Sequence, residues 1–320
     1  MSEDVAVSII ICTYNRAADL QQTLESIRAV SLLTVGTVEL IIVDNGSTDE
    51  TAAVARSFSR AGLKVRYIHE ARRGKGHAYN AGIAAANGRV LLFSDDDMRF
   101  PRNWIEGMCA PILAGEADAV AGGVRIATHL ERPWMQDTHR LFVGGQTDTL
   151  SDKNFDLQGS SMAIGRDVLQ KVPAFDTDLG PGSPVGLGLG EDTLFSYQVV
   201  KAGFRVKLCK DVCVEHHFDP SRLSREMFLQ RAVNSGRSLA YLSHHWEHAD
   251  IKWPLLRFAK AWARLKIYQW SKRSKLRRSP QGVDLSEYDR LCGFCFYKQY
   301  LRERQRARKY ERHGLVKLQP

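Results

Sequence analysis

The chain has 320 residues, 44% of them hydrophobic and 25% charged, with a net charge of +9. It is long enough for one large domain or two smaller ones with a sizeable core. No uncharged apolar stretch of about 18 residues occurs, so no membrane-spanning helix is expected, and the acidic start Met1-Ser2-Glu3-Asp4 does not read as a signal peptide.

Val5 to Cys12 (VAVSIIIC) is a nearly continuous apolar run, as buried parallel strands have. Thr13-Tyr14-Asn15-Arg16 follows, then a helix with Leu20, Leu24 and Ile27 on one face. Val38 to Val43 is a second strand, closed by Asp44-Asn45-Gly46. Ser47-Thr48-Asp49-Glu50 reads as a capping box for the next helix. Val65 to Ile68 is a third strand, and Gly74-Lys75-Gly76 leads into a small-residue helix that stops at Asn87-Gly88. Val90 to Phe93 is a fourth strand, running into Asp95-Asp96-Asp97. Strand and helix alternate, which predicts a parallel, doubly wound sheet.

Three adjacent carboxylates repel, so a folded chain keeps them for a reason. One reading is a solvated loop. The other is a site for Mg²⁺ or Mn²⁺, which take oxygen ligands. The cluster ends a strand, where open α/β sheets bind ligands, and this favours the metal reading. Tyr14 and Asp44 end two other strands. A ring can stack on a base, and a carboxylate can accept from a base N–H or a ribose hydroxyl. Singly, Tyr14 reads equally as a turn residue and Asp44 as a cap; beside the acidic cluster they point to a nucleotide.

Asp118 to Gly123 is a further strand, and Pro133 to Gly145, with Trp134, His139 and Arg140, has no clear element. Gly180 to Gly190 (GPGSPVGLGLG) cannot be regular structure and reads as a mobile lid or a surface loop. Glu191-Asp192 then opens a helix over Thr193 to Lys201, where carboxylates also serve as caps. Glu215-His216-His217 ends a short strand. Arg231 and Arg237 could reach phosphate or form a basic helix face. His244, His245 and His248 read as a solvated helix.

From Ile251 the composition shifts. Residues 251–320 hold 19 Lys/Arg against 5 Asp/Glu, a net of +14, while the rest of the chain is net −5. Leu255, Phe258, Ala259, Trp262 and Leu265 share a helical face, with Arg257, Lys260 and Arg264 opposite and a basic run from Lys272 to Arg278 after it. This predicts either a helix on an anionic membrane surface or one packed on the body. Arg302 to Lys309 reads as a solvated helical end. The six scattered cysteines, including a lone Cys292-Gly-Phe-Cys295, read as the reduced thiols of a cytoplasm.

The segments TYNR, IIVDNGSTDET, RRGKGHAYNAGIAAANG and LLFSDDDMRFP, in that order and spacing, resemble the family-2 glycosyltransferases of the GT-A fold. The resemblance continues through GSSMAIGRDVL, GLGEDTLFSYQVVKAGFRV and HHFDPSRLSREMFLQRAVNSGRS, covering roughly residues 5–240. It implies an α/β, GT-A-type mixed sheet with a Rossmann-like nucleotide-binding half (residues 1–125) and an acceptor-binding half (126–250); the basic helical extension (251–320) is read from its composition, outside the resemblance. It implies an inverting transfer from a nucleotide-sugar, a UDP-sugar here, to a hydroxyl of a sugar, lipid-linked or other acceptor. By the same resemblance Tyr14 and Asp44 hold the base, Asp95 and Asp97 are the acids of the DxD motif, and Asp192 is the general base. His216 stands where some members have a third ligand to Mn²⁺ or Mg²⁺. Met98 departs from the pattern, since many members have another acid there, and so does Tyr79, where many have Arg.

A hydroxyl is a poor nucleophile until a base takes its proton, and a diphosphate leaving group needs a cation. A retaining double displacement needs a second carboxylate as nucleophile, and the sequence offers no candidate. The alternatives are a nucleotidyltransferase, whose Gly-rich basic loop after the first strand TYNRAADL lacks, and a nucleic-acid binder acting through the tail, which leaves the acidic cluster unexplained. No specific nucleic acid is expected.

Overall fold

The computed structural model describes residues 5–32, 35–145, 157–273 and 281–318. The first four residues and most of the basic run (Ser274, Lys275, Leu276, Arg277 and Arg278) lie outside these.

The chain forms one eight-stranded sheet. The strands are β1 (Val5–Thr13), β2 (Thr37–Asp44), β3 (Leu63–His69), β4 (Val90–Asp95), β5 (Met98–Arg99), β6 (Ala119–Ile126), β7 (Met162–Gly165) and β8 (Val206–His216). Their order is β3-β2-β1-β4-β7-β6-β8-β5. β3, β2, β1 and β4 are parallel, as the apolar runs predict. β7 runs antiparallel to both β4 and β6, and β5 antiparallel to β8, so the sheet is mixed. The mixed sheet is the one the resemblance implies: the alternating strands of the first half are parallel, and β6 and β8 are parallel again.

Alternate residues of β1 feed two cores. Val7, Ile9 and Ile11 pack with Leu20, Leu24 and Ile27 of α1 (Ala17–Ala29), Ala55 of α2 (Thr51–Ser57) and Trp104 of α4 (Trp104–Leu113). Ile10 and Cys12 face the other way, onto Ala78 and Tyr79 of α3 (Lys75–Ala85) and Phe195 and Val199 of α7 (Glu191–Lys201). Helices on both faces bury β1, β2 and β4 almost completely, which is why those strands read as near-continuous apolar runs, while the edge strand β3 stays half-buried.

The predicted capping box does not form. Glu50 is the N-cap of α2 and no side chain caps it. The Ser47 hydroxyl instead accepts from the Asn15 amide (2.8 Å), tying two strand-end loops together. Trp134, His139 and Arg140 are structural. His139 closes a capping box on α5 (Asp137–Phe142) and bonds the Val283 carbonyl at 2.9 Å, while Arg140 pairs with Glu131 and Asp137. The short α6 (Val168–Lys171) follows β7.

Three helices complete the chain: α8 (Arg225–His245), α9 (Pro254–Ser271) and α10 (Leu285–Glu303). α10 lies so close on α8 that a Cβ on Gly236 would collide with the Cys292 carbonyl. Glu303 meets His245 at 3.1 Å and Glu287 meets Arg225 at 2.8 Å, both carboxylates buried. The expected solvated histidines are thus docking points: His245 is fully buried, His244 bonds the Arg306 carbonyl and His248 the Tyr310 carbonyl. Their partners lie about 60 residues downstream in the chain, outside any local pattern. The cysteines are free thiols, and among the described residues no helix is long and apolar enough to cross a membrane.

Candidate active site

The order β2-β1-β4 sets three strand ends side by side. Thr13 is registered with Asp44, and Cys12 with Asp95. The loop after β1 takes a left-handed turn at Asn15 (φ 49°) and is laced to the loop after β2. Asn15 Oδ1 accepts from the Thr48 amide (2.7 Å), and Asp49 Oδ2 accepts from the Ala17 amide (3.1 Å). These loops border a cleft of about 570 Å³, whose lining includes Tyr14, Asp95, Asp96, Asp97, Asp192 and His216. The residues singled out in the sequence therefore meet in one cavity, with one exception. Asp44 is buried, accepts from the Ser47 amide (2.8 Å) and the Tyr67 hydroxyl (2.9 Å), and does not line the cleft; its neighbour Asn45 does.

The two-residue β5 decides where the acidic cluster points. Pairing Met98 with His216 lets the His217 amide donate to the Asp97 carbonyl (2.8 Å) and puts His216 Nε2 3.2 Å from Asp97 Oδ2. Asp97 also takes Arg16 at 2.7 Å and Arg222 at 3.5 Å. Burial works against its charge, but His216, Arg16 and Arg222 outweigh it and hold the Asp97 carboxyl well below the usual carboxylate range. Asp96 receives Arg16 at 3.1 Å, yet burial together with the Asp97 charge pushes its carboxyl up to about 7. Asp95 is held by Lys75 at 2.7 Å. The lysine is buried, which disfavours its charge, and Asp95 reverses that.

A cation would find a partly built seat here. Asp97 Oδ1 and His216 Nδ1 are both buried without a hydrogen-bond partner, which a native interior seldom leaves unexplained. A carboxylate oxygen and an imidazole suit Mn²⁺ or Mg²⁺ in kind. Asp97 keeps a free oxygen for that role, whereas His216 turns Nε2 to Asp97 and its unpartnered Nδ1 toward Gly144, so its ring would have to give up the Asp97 contact to serve as a ligand. Asp95 does not yet join them, because Lys75 holds it. Accordingly, among the described residues, no three His, Cys, Asp or Glu side chains surround one point.

Across the cleft, Gly190 takes a left-handed conformation (φ 99°) and launches α7, two residues earlier than the sequence suggests. Its first turn carries two unlike acids. Glu191 is buried under the glycine-rich loop, close to Gly180, and burial with the neighbouring Asp192 charge raises its carboxyl to about 8. Asp192 is partly exposed to the cleft, with one oxygen on the Thr193 amide. Arg231 reaches the same wall from α8, its Nε buried and unpartnered. Tyr14 is 41% exposed and carries the Arg73 guanidinium over one ring face, 3.1 Å from the centroid.

Sequence reasoning assigned no role to Arg16, Lys75 or Arg222, the three cations on the aspartates. Arg16 and Lys75 stand inside the motifs TYNR and RRGKG, and a basic residue just past a strand end facing an acidic cluster was the available signal. Arg222 had none.

Comparison with known proteins fits this geometry. The profile described as Glycosyl transferase family 2 matches residues 8–173. Glycosyltransferase AglE of Haloferax volcanii is 28% identical over 216 residues, 67% of this chain and 67% of that protein. Glycosyltransferase GlyG of Streptococcus pneumoniae is 30% identical over 117 residues, 36% of this chain and 38% of that protein. Matches of that second kind span only about a third of either chain. Among solved structures, the mannosyltransferase PcManGT from Pyrobaculum calidifontis, in complex with GDP-Man and Mn²⁺, has a TM-score of 0.54 at 21% identity, covering 75% of this chain and 66% of that one. S. aureus TarS 1-349 in complex with UDP-GlcNAc has a TM-score of 0.52 at 17% identity, covering 94% and 92%. These likenesses establish the GT-A fold.

Proposed function

The chain belongs to glycosyltransferase family 2, and on that premise we propose that it moves a sugar from a nucleoside-diphosphate-sugar, a UDP-sugar, to a hydroxyl acceptor with inversion. The observation that carries this reading is the meeting of Asp95, Asp97, His216 and Asp192 around one cleft. Residues 1–125 supply the donor side and residues 126–250 the acceptor side.

Tyr14 offers its ring to the base, and Arg73 already stacked on it stiffens that platform. Asp44 stays in the proposal as the buried acid that holds the loop after β2 through the Ser47 amide and so presents Asn45 to the base side of the cleft. Asp97 and His216 would hold the metal, with Asp95 as a third ligand were Lys75 to leave it. The metal, Mn²⁺ or Mg²⁺, supplies positive charge to the departing diphosphate; the PcManGT complex contains Mn²⁺ beside its nucleotide-sugar. Lys75, released from Asp95, remains in the cleft as a second positive charge.

Asp192 takes the proton of the acceptor hydroxyl as the hydroxyl attacks. Its partly exposed place on the cleft keeps it available, whereas Glu191, buried and raised to about 8, stays protonated at neutral pH. A buried neutral acid cannot serve as the nucleophile of a double displacement, and this supports inversion.

The test is a panel of UDP- and GDP-sugars with Mn²⁺, read by thermal stabilisation and then by slow hydrolysis of the donor. A UDP-sugar should give both signals in wild type. Stabilisation without hydrolysis is expected for Asp192→Asn. The proposal falls if no nucleotide-sugar stabilises the protein, or if the sugar released from an acceptor assay keeps the anomeric configuration of the donor.

A further inference from the structure

Helix α9 is held by one side. Against α10, the Phe258 ring stacks on Phe294 with centroids 5.4 Å apart, Leu265 is buried, and Tyr268 donates its hydroxyl to Asp284 (2.7 Å). Gln269 donates to Glu287 at 3.1 Å. The other side faces solvent. It carries Leu255, Leu256, Trp262, Ile267 and Trp270, preceded by Trp253, and these six are 50–76% exposed. Scattered apolar residues on a surface are normal. Five on one helix with Trp253 just before it, three of the six tryptophan, form a patch of the kind that marks a partner's site.

The charge around the patch identifies the partner. Arg257, Lys260, Arg264, Lys266, Lys272 and Arg273 are all exposed, and none forms an ion pair among the described residues. The sequence contains no Asp or Glu between Asp250 and Asp284. A second copy of the chain would press two such basic helices together and bring like charges into contact. An anionic bilayer satisfies both halves of the surface. Tryptophans favour the headgroup boundary, and lysine and arginine interact with lipid phosphate while their stems cover apolar surface.

We propose that α9 docks flat on an anionic membrane surface, with Trp262, Trp270, Leu255 and Ile267 in the headgroup–acyl boundary and Lys260, Arg264 and Lys266 on lipid phosphates. α10 anchors the docked helix to α8, which lines the cleft, so the membrane-facing surface is rigidly joined to the catalytic body. The inference stands apart from the sugar-transfer reading, because it concerns a surface that the cleft does not use.

The experiment is co-sedimentation of the full chain with phosphatidylcholine vesicles, with and without phosphatidylglycerol, at low and high salt. Binding should require phosphatidylglycerol and weaken with salt. Lys260→Gln with Arg264→Gln should lower the partition coefficient about 25-fold at low salt, about fivefold for each lost charge, and less at high salt. Trp262→Ser with Trp270→Ser should lower it at least about tenfold at both salts, since apolar burial is not screened. A wild-type circular dichroism spectrum and a cooperative melt confirm that both variants are folded. Equal binding to neutral vesicles, or unchanged binding by both variants, overturns the proposal. So does a lipid-free dimer in sedimentation velocity that the tryptophan changes abolish, since the patch then belongs to a second copy.

Discussion

Replacing Asp97 by Asn separates the two things this side chain does. In the structure it is buried and receives Arg16 at 2.7 Å, His216 at 3.2 Å and Arg222 at 3.5 Å. Stripping a buried ion pair of one partner costs about 3–5 kcal/mol. Arg16 and Arg222 retain partial exposure and Arg16 keeps Asp96, so screening reduces the loss to about 1–2 kcal/mol. The metal-free variant should therefore fold, with a melting temperature a few degrees below wild type. Ligand is where the difference should appear. Mn²⁺ with a UDP-sugar at about 100 times its dissociation constant stabilises a competent protein by about 2.7 kcal/mol, or about 5 °C for a chain of this length. Wild type should show that rise and Asp97→Asn none. A variant that gains the full rise in the presence of Mn²⁺ would refute the assignment of Asp97 as ligand. Undiminished turnover of wild type in excess chelator would refute the metal altogether.

Asp192→Asn should leave donor affinity unchanged and lower kcat by about 10²–10⁴-fold, the usual weight of a general base; a collapse of donor binding with normal residual turnover would make Asp192 structural. Glu303 bears on acid stability: burial opposes its charge, His245 and Gln299 outweigh that, and its carboxyl falls to about 2. A depressed carboxylate stabilises the fold above its unfolded pKa near 4.5 and loses that contribution as pH falls toward 2, so the penalty of Glu303→Gln, up to about 3 kcal/mol at pH 7, should vanish in melts near pH 2–3. Gly236→Ala should destabilise by about 1–3 kcal/mol, because its methyl meets the Cys292 backbone where α8 and α10 touch; an unchanged melting temperature would mean that the helices separate freely. A chain ended after Asp250 should aggregate, having lost the helix that covers Ser235, Gly236 and His245 on α8; a monodisperse truncated protein would show that α10 is dispensable.

The first half of this fold was legible because its information is local. A parallel strand buried on both faces needs an unbroken apolar run, and Val5 to Cys12, Val38 to Val43 and Val90 to Phe93 announce themselves that way. The carboxylates at the end of β4 were legible for the same reason. What failed depended on pairing at a distance. β7 and β5 are four and two residues long, too short for periodicity to register, yet they reverse the sheet direction and aim Asp97 at His216. The cations were missed because a side chain 80 residues away chooses which acid Arg16 meets. Ser47 and Asp49 carry capping chemistry, but the loop after β1 lies within reach and takes those oxygens first.

The tail shows why composition alone left two readings open. Its net charge of +14 is a single number, and the fold divides it into two populations. Near the C-terminus, Lys309 and Lys317 reach Asp178, Lys317 also meets Asp176, and Arg306 joins Glu303. Those charges are spent holding the chain end against the body beside the glycine-rich loop. Along α9, by contrast, four basic side chains, and Lys272 and Arg273 just past its end, form no ion pair among the described residues. Packing and membrane attachment are therefore not rival accounts of one segment. Asp176 and Asp178 of the body meet Lys309 and Lys317 of the end segment, and α10 docks through its own Glu287 and Glu303, while the basic side chains of α9 stay in solvent on a helix whose outer face is apolar. A surface made that way is stable in water only at the cost of exposed tryptophan, and an anionic bilayer is the partner that removes both the exposed apolar area and the unanswered charge.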